Sequence, residues 1–148
     1  MEILRSVLRE LPEFQQLLDS GQSPAAVSGL AAVHRAHFAA CLGQESGRPV
    51  VVVCADEGEA ERMARDLSFL TGGEVPVLAA RSFLFHNIAT VSRQWEHRRL
   101  ALMRAMAAGE VPLLVAAVEG LLQRTLPPEE LDRAWAELRT GGSYDLNQ

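Results

Sequence analysis

Apolar residues in this chain alternate between short unbroken runs and longer stripes at helical spacing, and that alternation predicts the order of elements. Leu11 to Asp19 carries a helical pattern, with Pro12 in the first turn and Gly21 after the last. Ala25 to Gly29 reads as a first strand after Ser23-Pro24. Ala31 to Leu42 follows as a helix apolar on nearly every side, which predicts burial, with Gly43 and Gly47 bracketing its exit. Val50 to Cys54 has no polar interruption, the pattern of a strand covered on both faces of a parallel sheet. Asp56 and Glu59 form a capping-box-like start. Ala60, Met63, Ala64, Leu67 and Leu70 then make one stripe up to the Gly72-Gly73 stop.

The second half repeats the scheme. Val75 to Ala79 reads as a strand, with Pro76 tolerable only near its start or on an edge. The loop RSFLFHNIAT leads to a helix capped by Ser92 and running through Ala108 to Gly109. Val111 to Val118 reads as a further strand and Glu119 to Gln123 as a helical turn or two. Pro127-Pro128 breaks the chain, and Glu129 to Leu131 adds a short turn. Successive strand-helix-strand units predict an α/β fold with a mainly parallel sheet. The expected organisation is a helical lead-in over 1–24, an α/β domain over 25–126, and a linker with the start of another element over 127–148. Because the chain stops soon after Gly141-Gly142, where an element should begin, it reads as a piece of a longer protein.

Composition narrows the function classes. At 148 residues and 48% hydrophobic, there is material for one domain with a real core. The sequence has no long apolar run to span a membrane, and MEILRSVLRE places acids where a signal peptide needs a basic flank, so a cytoplasmic location is expected. Cys41 and Cys54 sit in apolar segments and read as buried thiols. A formal charge of -5 argues against a broad basic face for nucleic acid.

Candidate chemistry begins at Gly29. A strand followed by a loop and a helix is the setting of a Walker A loop, G-x-x-x-x-G-K-[ST]. Gly29 fills the first glycine of that template. His34 falls on the second glycine, Arg35 on the lysine, and Ala36 on the hydroxyl residue that would hold magnesium. The expectation is a vestigial phosphate loop that binds no cofactor, with His34, Arg35 and Ala36 serving packing.

Other constellations are weaker. His34, His37 and Cys41 share one side of a helix at i, i+3 and i+7, but no fourth metal ligand is nearby, so no metal is assigned and hydrogen-bonded histidines on a core helix are the favoured reading. In the helix after Ser92, Glu96 and Arg99 fall inside the apolar sector and are expected to pair. Arg93, His97 and Arg104 share the opposite face, either as a solvated surface or as a strip for a partner or a phosphate backbone. There is no nucleophile elbow, no helix-start Cys-His pair and no carboxylate pair across a cleft, so no catalytic residue is assigned.

The run from Ala80, with FLFHN, VSRQWEHRRL and LLVAAVEGLLQR, resembles the N-terminal region of bacterial transcription-repair coupling factor (Mfd). SGLAAVHRA looks like that family's degenerate Walker loop and RPVVVVCADEGEAERMARDL like its next strand and helix, so the resemblance covers about Leu11 to Tyr144. It implies a partial RecA-like three-layer sandwich, similar to excinuclease B, that has lost nucleotide binding. In the family such a module supports an inserted domain that recruits excinuclease A to RNA polymerase stalled at damaged DNA. The ATP- and magnesium-dependent translocase motor lies far downstream, so this segment is expected to be a scaffold and not an enzyme. The resemblance also makes Arg133 to Arg139 an extended segment, the first strand of the insertion. A residual ATP-binding, helicase-like domain that uses Gly29, Arg35 and Glu119, and a small DNA-binding module, are the alternatives.

Overall fold

The computed structural model describes residues 7–21, 23–80, 94–136 and 140–143. Among the described residues, three parallel strands, β1 (Val50–Cys54), β2 (Val77–Leu78) and β3 (Leu113–Ala117), lie in the order β1-β3-β2. Val50 to Cys54 register with Leu113 to Ala117, and Val77 and Leu78 with Val115 and Ala116. The helices with described bounds are α1 (Pro12–Ser20), α2 (Ala32–Ser46), α3 (Glu57–Thr71), α4 (Gln94–Ala107), α5 (Val118–Leu122) and α6 (Pro128–Ala134). The fold is α/β, as the alternating pattern predicts.

The two crossovers lie on opposite sheet faces. From α3, the residues Ala60, Met63, Ala64 and Leu67 join Ala36 and Ala40 of α2 against Val50, Val52, Cys54, Leu113, Val115 and Ala117. From α4, the residues Leu102, Met103 and Met106 cover Leu78, Leu114 and Ala116. Strand β3 is therefore buried along its whole length. Strand β1 is not, because Val51 and Val53 are exposed on the α4 side. They are the cross-strand partners of Leu114 and Ala116, yet they lie beyond the pair of strands that α4 covers. The expectation of a strand covered on both faces is corrected to one covered face.

Local chemistry explains most boundaries. Asp56 Oδ1 accepts from Glu59 N at 2.7 Å and Glu59 Oε2 accepts from Ala55 N at 3.0 Å, so a capping-box-like pair forms at the start of α3, with Glu59 reaching the amide one residue before the Asp56 cap. Ser68 Oγ donates to Ala64 O and accepts from Val75 N, which ties the end of α3 to the approach to β2. Pro76 cannot donate to a ladder, but its carbonyl accepts from Val115 N at 3.0 Å, so β2 shrinks to a two-residue edge strand.

Three further expectations change. Residues 25–29 form no strand and are exposed, since AAVSG offers one β-branched side chain and little apolar surface to hold it against a neighbour. Helix α2 extends to Ser46 but buries only Ala36, Ala40 and Cys41, and Val33 is 57% exposed, so it is a one-sided helix. Arg133 and Ala134 end helix α6, and the chain turns extended only at Trp135 (φ -85°, ψ 126°), which corrects the extended reading from Arg133. The loop RSFLFHNIAT, the Ser92 cap and residues 137–139 lie outside the described residues.

Candidate functional site

Around the end of β1 the structure brings Arg35, Asp56 and Glu59 together. Gly29 has φ +82°, a conformation that side-chain-bearing residues rarely adopt. Helix α2 then starts at Ala32, two residues before His34, and Arg35 N already donates to Ala31 O at 3.0 Å. The amide that a phosphate loop would aim at its ligand is thus used within the helix. Ala31 supplies no side-chain cap.

The side chains point the same way. Ala36 is fully buried and packs in the core, whereas His34 and Arg35 are exposed, so only one of the three expected packing residues packs. Arg35 Nε donates to Leu30 O at 3.4 Å, and Nη1 lies 3.9 Å from Glu59 Oε1. Glu59 holds Ala55 N with its other oxygen. The protein's own carboxylate therefore stands before Arg35 and the strand end, where an anionic ligand would compete with it. Cys54, buried beside this cluster, has its thiol pushed up by burial first and then by the charges of Glu59 and Asp56, with Arg62 opposing.

At the same end of the sheet, α4 supplies a second cluster. Arg99 is only 9% exposed, and its guanidinium donates to Ala79 O at 3.0 Å and to Gly120 O at 2.7 Å. The expected ion pair of Glu96 and Arg99 does not form. Arg99 instead joins the chain leaving β2 to the helix that follows β3, its buried charge met by two backbone carbonyl oxygens. Burial lowers the Arg99 pKa, and its charge is held by these dipoles and by the Trp95 ring 5.9 Å away. Trp95 Nε1 is buried without a partner. Reasoning from sequence missed the carbonyl clamp, although an arginine in an apolar helix sector and Gly120 just after a strand were its visible traces.

The remaining candidates separate. Arg93 lies outside the described residues and His97 is exposed. Arg104 is engaged within the chain, its Nε 3.6 Å from Asp132 Oδ1 and its guanidinium 4.8 Å over the Trp135 ring. His34 is exposed and Cys41 buried, and His37 Nε2 is buried without the hydrogen bond expected of it. Among the described residues no group of three His, Cys, Asp or Glu is placed to hold a metal ion, and no helix is long and apolar enough to cross a membrane. Glu119 is exposed on α5, just beyond β3.

The chain is similar to two curated proteins. It is 24% identical over 135 residues to the transcription-repair-coupling factor of Bacillus subtilis (strain 168), a match that covers 88% of this chain and 11% of that protein. It is 28% identical over 142 residues to the transcription-repair-coupling factor of Myxococcus xanthus, with 89% of this chain and 12% of that protein covered. The chain thus spans 11% to 12% of the length of the curated relatives it matches. No family model and no solved structure matches it.

Proposed function

We propose that this chain, a segment related to the transcription-repair coupling factors, is a non-catalytic scaffold from the N-terminal region of such a protein. In this reading it is a partial RecA-like α/β module with a retired phosphate loop. The similarity to two coupling factors over nearly nine-tenths of the chain supports the relationship. The observation that carries the scaffold reading is Glu59, whose carboxylate faces Arg35 and caps Ala55 where a bound phosphate would need free amides and an unopposed cation.

The proposed role follows from that loss. The segment supports the recruitment of excinuclease A to stalled RNA polymerase, while DNA, the polymerase and ATP with magnesium are handled by other regions of the longer protein. Its own surface performs no hydrolysis. The rival ATP-binding reading needs Gly29 and Arg35 to hold phosphate and Glu119 to serve magnesium.

A titration of the chain with a fluorescent ATP analogue, with and without magnesium, separates the two. The scaffold reading expects no saturable binding. Micromolar affinity abolished by Arg35→Ala would overturn it, and weakening by Glu119→Gln in magnesium alone would identify the rival as correct.

A further inference from the structure

After α5 the chain crosses residues 124–130, all exposed, before Leu131 sinks to 4% exposure where α6 packs on α4. Beyond that leucine, polar and aromatic contacts between the described residues of this segment and α4 fall on Arg104. Arg104 is the partner of Asp132 at 3.6 Å and of the Trp135 ring at 4.8 Å, and its side chain is 47% exposed. Among the described residues, the attachment of this segment to α4 thus includes one buried leucine and a half-exposed cation shared by a carboxylate and an indole.

Residues 123–126 form one wall of a cavity of about 450 Å³, and Trp95, Arg99 and Met103 of α4 form the facing wall. Trp95 and Arg99 line this cavity, and behind its surface lie the buried, unpartnered Trp95 Nε1 and the largely buried Arg99. It lies beside the clamp that Arg99 makes at the C-terminal ends of β2 and β3, the end at which parallel α/β sheets offer ligands a crevice.

We propose that residues 123–135 form a strap, fastened on Arg104, that walls one side of this cavity beside Trp95 and Arg99 and swings away when the Arg104 contacts are released. Leu131 holds the far end and Arg104 sets the closed position. An exposed ion pair and an exposed cation-aromatic contact are weak and the ion pair is screened by salt, so the strap belongs to the part of the fold that opens locally before the core does. Opening bares two hydrogen-bond donors and an apolar floor without disturbing the sheet.

The test uses the full chain. Its two tryptophans are Trp95 and Trp135. Trp135→Phe keeps an aromatic ring on Arg104 and leaves Trp95 as the only emitter. In that background Arg104→Ala should raise both acrylamide quenching of Trp95 and tryptic cleavage after Arg124 severalfold, with an unchanged far-UV spectrum. Raising NaCl to about 1 M, where the screening length falls to ~3 Å, should move the parent in the same direction. Unchanged quenching and cleavage on both routes overturn the strap. If Arg104→Ala loses the far-UV signal, Asp132→Asn decides the question: increased access supports the strap, and unchanged access overturns it.

Discussion

Arg99 Nη2 donates to the carbonyl oxygen of Gly120 across 2.7 Å, joining the middle of α4 to the helix that leaves the central strand. The same guanidinium reaches Ala79 O, so one side chain closes the exits of two strands. Arg99→Met keeps the volume, removes the buried charge and leaves two carbonyl oxygens unmet. The expected loss is about 1–3 kcal/mol of unfolding free energy, read from urea denaturation. Arg99→Lys should recover only part of it, because a single ammonium lacks the planar fork that spans both oxygens. Equal stability of the Met variant and the parent would show the clamp to be energetically idle.

Gly120 itself is fixed by proximity. A Cβ on it would stand 2.5 Å from Leu78 O, a backbone atom in the shortest strand. Gly120→Ala must push α5 away from β2 and stretch the Arg99 bond, at a cost of about 1–3 kcal/mol. Gly73→Ala is the control, since nothing lies within 4 Å of its added methyl, and it should stay within about 0.5 kcal/mol of the parent. Similar melting temperatures for the two variants would contradict the close approach.

Where the sequence was legible, the signal was local. Asp56 and Glu59 at i, i+3 announce their capping box because both partners belong to the same turn, and the stripe from Ala60 to Leu67 has one reading on a helix. The run VVVVC announces a strand but not how many of its faces are covered, since four valines and a cysteine include no polar residue to mark the open side. The coverage depends on where α4 lies, a tertiary fact. Similarly, the phosphate-loop template could be laid on Gly29 to Ala36, but the early start of α2 and the turn of Glu59 toward Arg35 come from packing between α2 and α3. Arg99 was visible as an anomaly on a helical wheel, and its partners were not, because carbonyl oxygens carry no residue-specific signature.

The one-sided burial of β1 makes a direct prediction. Val52 packs against the α2 and α3 core, and Val53 is 52% exposed. Val52→Ala should cost roughly 1–3 kcal/mol through lost burial and the space left behind. Val53→Thr should change stability by less than about 0.5 kcal/mol. Chemical denaturation of both variants measures the difference, and a large loss at Val53 would mean that this face is covered after all.

Cys54 gives the pH dependence. Burial raises its thiol above the ordinary 9.0, reinforced by Glu59 and Asp56 and opposed by Arg62. A group whose folded pKa exceeds its unfolded pKa contributes stability that is complete below the unfolded value and is lost as pH rises through the folded one. The denaturation midpoint should therefore fall as the pH climbs past about 9. The chain contains no lysine, so few other groups titrate in that range. Cys54→Ala should flatten the fall, measured by urea midpoints across the alkaline range. At mildly alkaline pH, iodoacetamide should label Cys54 slowly in the folded chain and rapidly in urea, as followed by mass spectrometry of its peptide. Fast labelling of the folded protein with an unchanged alkaline profile would show Cys54 to be neither shielded nor shifted, and would remove the burial on which its place beside Glu59 rests.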